Sequence, residues 1–174
     1  MKKIVFTLFA AAMLASCATR SNECATNGNE YVIHGTVATH ELEGAKVYLV
    51  PMGEDIKEKL DSTYIHDQFF EFRGTEERVV DIRLERRRRW GVETLLVVTE
   101  PGDIYVTLGQ KSTGRGTPQN DSIQAWKHLT QSYYRSDIEL DYYLSRSVQM
   151  AKNVGEKSTL GAFLLSRMPE ESKK

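Results

Sequence analysis

Cysteine is nearly absent from this chain. There are two, Cys17 and Cys24, and no Cys-x-x-Cys anywhere. That scarcity excludes a disulfide framework, a thiolate zinc site and a dithiol redox centre. An excess of charge of one sign is lacking as well. The formal net charge is -1, so nothing draws the chain as a whole to nucleic acid or to acidic surfaces, and a charge-driven partner must use a local patch. Catalytic signatures are missing too. No Gly-x-Ser-x-Gly element occurs. Gly114-Arg115-Gly116 lacks the third glycine and the βαβ setting of a dinucleotide fingerprint. His34, His40, His66 and His128 show no metal-ligand spacing, and a strand histidine is usually a surface or hydrogen-bonded one. Asp61 and Asp67 bracket a strand start and a turn, where aspartate serves local hydrogen bonding. The sequence implies no catalytic residue, metal or cofactor.

What is present begins with an address. Lys2 and Lys3 form a basic start, and Ile4 to Leu14 an apolar core too short to span a bilayer, which reads as a secretory signal. The core ends in Leu14-Ala15-Ser16-Cys17. Small residues followed directly by cysteine resemble the bacterial lipoprotein pattern. The resemblance implies cleavage before Cys17, diacylglycerol on its sulfur and acylation of its amino group, a palmitate-type anchor whose several chains together hold the protein at a membrane. The expected segments are a signal peptide over 1–16 and a polar tether over 17–29 containing Cys24, which has no partner cysteine. Ala18 carries no retention charge, so the outer membrane is favoured over the inner.

The pattern then becomes that of short strands. Tyr31 to Val37 reads as one, with Gly35 placed as a bulge; Ala45 to Val50 is another, stopped by Pro51. Phe70 and Phe72 alternate with Glu71 and Arg73, and Val80, Ile82 and Leu84 alternate with Asp81, Arg83 and Glu85. Each alternation marks a half-buried strand. Leu95-Leu96-Val97-Val98 is apolar on both faces and reads as a strand covered on both sides. Glu100-Pro101-Gly102-Asp103 suits a type II turn joining it, as a hairpin, to Ile104–Leu108. Roughly seven strands without intervening helices predict an antiparallel β-sandwich or open barrel over 30–117.

Residues 118–174 are predicted to be helical. Asn120, Asp121 or Ser122 serves as cap to a helix with Ile123, Trp126, Leu129 and Tyr133 on one face. A second runs from about Ser136 to Asn153 and ends at Gly155; Ser158 caps a last apolar segment from Leu160 to Met168.

In their order, Ile33-His34-Gly35, Val47-Tyr48-Leu49, the Asp61–Gly74 segment, Glu100-Pro101-Gly102 and Gly116-Thr117-Pro118 with Asn120-Asp121 resemble the family DUF4369. That domain of unknown function occurs in envelope lipoproteins of certain Gram-negative bacteria, commonly ahead of a thioredoxin-like domain. This sequence has none of the redox cysteines of such relatives, so the resemblance implies a member without the thioredoxin domain and carries no redox activity over.

The sharpest local feature is Arg86, Arg87, Arg88 and Arg89, beside Trp90. Guanidinium forks pair bidentately with phosphate and carboxylate, which makes the run a candidate anion-binding element. Glu76, Glu77, Asp81, Glu85 and Glu93 flank it, and a solvated, locally neutralised turn is the favoured reading. The expectation is therefore a lipid-anchored, non-catalytic envelope protein, a binding or accessory module whose partners are the membrane and an envelope protein. Its alternative is the accessory half of a periplasmic thiol-disulfide oxidoreductase system whose thioredoxin-like domain is missing or on a separate chain.

Overall fold

A computed structural model describes residues 28–52, 61–85, 89 and 91–173. Among these the alternating segments form eight strands: β1 (Tyr31–Val37), β2 (Lys46–Pro51), β3 (Asp61–Tyr64), β4 (Phe69–Gly74), β5 (Val79–Leu84), β6 (Leu95–Val98), β7 (Gly102–Leu108) and β8 (Thr113–Arg115). They make two four-stranded sheets, in the orders β4-β1-β7-β8 and β3-β2-β5-β6. Three helices follow, α1 (Pro118–Tyr134), α2 (Leu140–Val154) and α3 (Thr159–Ser166). The architecture is the expected sandwich with a helical C-terminal region, and the sheets do not close into a barrel. Its core is the interleaved inner faces: Ile33, Phe70, Phe72, Ile104, Val106 and Leu108 from the first sheet against Val47, Leu49, Val80, Ile82, Leu84, Leu95 and Val97 from the second.

Three details differ from the sequence reading. The first is the β6–β7 hairpin, which does not form. β6 pairs with β5 in the second sheet, whereas β7 pairs with β1 and β8 in the first. Glu100-Pro101-Gly102 is the corner that carries the chain between layers, with Gly102 at φ 122°. The β1–β7 pair is parallel. The apolar outer face of β6 belongs instead to the helices: Val98 and Val79 are buried with Ile123, Ala151, Leu160 and Leu164, and Asp81 nearby, expected to point outward to water, is buried too. Second, Gly35 is no bulge, since β1 pairs with β4 in unbroken register from Tyr31–Gly74 to Thr36–Phe69. Its missing side chain makes room for the Phe70 ring, which lies where a Cβ would stand. Third, β8 is a strand of three residues, too short for periodicity to reveal.

The helix start also lies earlier than the expected caps. Thr117 is the N-cap residue and Pro118 opens the helix, a position where a missing N–H costs nothing. The carboxylate of Glu100, from the corner, accepts hydrogen bonds from the backbone N–H of Gln119 (2.7 Å) and Asn120 (3.2 Å). Asn120 is fully buried and works on the sheet. Its Oδ1 accepts from the Val98 N–H (2.9 Å), and its Nδ2 donates to the Val98 carbonyl (2.7 Å) and the Thr117 hydroxyl (2.8 Å). β6 is an edge strand, so one side amide supplies the pairing a fifth strand would have given. Gln124, one turn on, donates to the Leu96 carbonyl (3.3 Å) on the same edge. Gly155 ends α2 at φ 93°, and the Ser158 hydroxyl caps α3 through the Gly161 N–H, both as the sequence predicts.

Candidate functional site

The inner faces of both sheets are buried and helices cover the β6 end of the second, while side chains of all four strands meet solvent on the outer face of the first sheet. The register aligns them in rows. His34 of β1 sits opposite Glu71 of β4 on one side and Tyr105 of β7 on the other, and Tyr105 sits opposite Arg115 of β8. The next row is Phe69, Thr36, Thr107 and Thr113. Side chains two apart on a strand share a face, and neighbouring strands lie roughly 4.8 Å apart, so each row crosses about 14 Å of sheet.

The first row is a tall rank of stacked groups. The His34 and Tyr105 rings are nearly parallel (19°) with centroids 5.0 Å apart, and the Arg115 guanidinium lies 5.7 Å from the Tyr105 centroid. Both imidazole nitrogens face carboxylates: Nε2 is 2.7 Å from Asp103 Oδ1, and Nδ1 is 3.8 Å from Glu71 Oε2. Glu71 also accepts from Arg73 Nε at 2.6 Å. The ionisable groups of this rank are therefore engaged with one another. The second row is low. Thr36 and Thr107 share a hydrogen bond between their hydroxyls (2.9 Å), and Thr36 reaches the Val106 carbonyl (3.2 Å). Wall and floor together enclose an open groove of about 760 Å³, within the range that holds a drug-sized ligand.

Two aromatic rings stand at its end. Phe69 is 61% exposed and Tyr64 53%, large apolar surfaces for a folded protein to leave in water. A two-residue turn presents Phe69. His66 and Phe69 exchange both backbone hydrogen bonds (2.9 and 2.8 Å) while Asp67 and Gln68 take φ 52° and 67°, the left-handed pair of a type I′ hairpin. Glu43 holds the turn by accepting from the Asp67 and Gln68 N–H groups at 3.1 and 3.3 Å. Inside the sheet, burial pushes the pKa of the Tyr31 hydroxyl up; Asp61 and Glu76 add to this and Arg78 opposes it. That ring lies on Gly74, on the core side, and takes no part in the groove.

The residues singled out from sequence lie elsewhere. Cys17, Arg86, Arg87 and Arg88 fall outside the described residues. Arg89 is exposed and does not line the groove. His34 is the hydrogen-bonded strand histidine expected of it, and it stands in the rank. Thr36, Phe69, Tyr105, Thr107 and Arg115 were not apparent from sequence, because only the register brings four distant segments to one surface. Among the described residues no three of His, Cys, Asp and Glu are placed to hold a metal ion.

A family model described as "Domain of unknown function (DUF4369)" matches residues 31–123. One for the prokaryotic membrane lipoprotein lipid attachment site matches residues 1–18. No curated protein and no solved structure matches the chain. The family match takes in every strand of the sandwich and the start of α1, Asn120 included.

Proposed function

From the premise that this chain belongs to the DUF4369 family and carries a lipoprotein attachment site at its N-terminus, we propose that it is a non-catalytic binding module of the cell envelope, held by a lipid on Cys17, with the outer face of the first sheet as its binding surface. The observation that carries this reading is the exposed row built on Phe69, Thr36, Thr107 and Thr113 beside a rank of mutually engaged charges. Groups that satisfy one another form a rigid surface for recognition. A reaction instead needs a poised acid, base or nucleophile. The outer membrane is the proposed location, because Ala18 brings no retention charge.

Three measurements on the full chain test the proposal. Wild-type protein is expected in the membrane fraction, and Cys17→Ser in the soluble fraction of the envelope. Immobilised wild-type protein should retain a component of detergent-solubilised envelope that the Phe69→Ala/Tyr105→Ala double variant does not retain. Equal retention by both proteins would refute the binding face, and a membrane-bound Cys17→Ser would refute the anchor. Reduction of insulin by the purified protein would contradict the non-catalytic assignment.

A further inference from the structure

The chemistry of the groove narrows what it takes. Building on the binding-face reading above, we infer that its ligand is a neutral, flat carbohydrate chain, a β-linked oligosaccharide lying across the strands.

Four features point the same way. The floor is hydroxyl-bearing. Thr36 and Thr107 share one hydrogen bond, and hydrocarbon laid over the row would strip water from their remaining hydrogen-bonding capacity and from the Thr113 hydroxyl, which is costly. Sugar hydroxyls both donate and accept, and so can take over those bonds. The groove also offers ring surface. Phe69 stands 61% exposed, and the C–H face of an equatorial pyranose is the apolar, planar counterpart that such a ring covers; Tyr105, its faces taken by His34 and Arg115, adds its outer edge. Charge is balanced and engaged: Glu71 is held by Arg73, His34 by Asp103, and Arg115 lies against Tyr105. A polyanion would find Glu71 in its way, and a polycation would find Arg115. Finally, the surface is a sheet face rather than an edge. The backbone groups of β1 and β7 are committed to ladders on both sides, so an extended peptide laid across them finds no strand to pair with. The floor is a single row of side chains running about 14 Å from β4 to β8, which suits an extended chain of a few sugar rings rather than a coiled one.

The test uses the full lipoprotein in a non-glycosidic detergent, titrated calorimetrically with cellohexaose, xylohexaose and chitohexaose. Maltohexaose serves as the coiled neutral control and heparin as the charged one. At least one flat neutral chain is expected to bind more tightly than both controls. Phe69→Ala and Tyr105→Ala should each weaken that binding about tenfold, the scale of one lost aromatic contact. Thr107→Val, which keeps the shape and removes the hydroxyl, should weaken it as well. Tyr134→Ala, at an exposed ring of α1 outside the groove, should leave it unchanged. Absence of binding by all three flat chains overturns the inference, as does binding that survives the Phe69 and Tyr105 variants. If the envelope component retained through Phe69 and Tyr105 is a protein or an anionic lipid, the carbohydrate assignment fails while the binding face stands. If nothing is retained through them, both fail.

Discussion

Asn120→Ala is expected to destabilise the protein by roughly 2–6 kcal/mol, the sum for two buried backbone groups left without partners at about 1–3 kcal/mol each. The groups are the N–H and C=O of Val98, which face away from β5 and toward the helix. Water cannot replace the amide, because Val98 and position 120 are both fully buried. Loss of the bond to Thr117 adds to the cost by loosening the first turn of α1. Asp121→Ala is the control. That neighbour is exposed and accepts one bond, from the Gly116 N–H at 3.2 Å, and its removal should cost less than about 1 kcal/mol. Urea unfolding reads both variants. Hydrogen exchange gives the local sign: the Val98 amide should lose its protection in Asn120→Ala and keep it in Asp121→Ala.

Gly35→Ala is expected to be the other severe change, costing about 3 kcal/mol or more, at the upper end of core overpacking. A Cβ at position 35 would lie inside the van der Waals surface of the Phe70 ring. Phe70 is buried and packs edge-on against Phe72 (centroids 6.0 Å, 73°), so a shift of the ring to admit a methyl breaks that packing. The cost is steric and specific to one neighbour, which makes it reversible. Phe70→Leu alone should destabilise by cavity formation. The Gly35→Ala/Phe70→Leu pair should be more stable than the two single losses predict, because the smaller side chain vacates the place the methyl needs. Thermal unfolding of the four proteins in this cycle measures the coupling, and simple additivity would show that the ring is not what excludes a side chain at position 35.

These two positions mark where sequence reasoning succeeded and where it stopped. Alternation at Phe70–Phe72 and Val80–Leu84 located strands and their inner faces, because a side-chain period of two needs no knowledge of the partner strand. Gly155 and Ser158 marked helix ends for the same reason: their effects are local. Pairing was not local. The turn chemistry of Glu100-Pro101-Gly102 is as suited to a corner between layers as to a hairpin, and nothing between residues 95 and 108 reveals that the true neighbour of β7 is β1. Asn120 reads as a cap in any sequence and becomes an edge-strand partner only once β6 lies beside it. The groove was hidden for the same reason. His34, Phe69, Tyr105 and Thr113 come from four separate segments, and each is an ordinary outward residue until the register sets them in adjoining rows.

Amide chemical-shift mapping, with isotope-labelled full-length protein in micelles titrated against the envelope component that it retains, decides whether the outer face of the first sheet is the binding surface. The shifts should gather on Thr36, Phe69, Tyr105, Thr107 and Thr113 while α2 and α3 stay still. Shifts centred on the helices, with the outer face of the first sheet unchanged, would contradict that assignment.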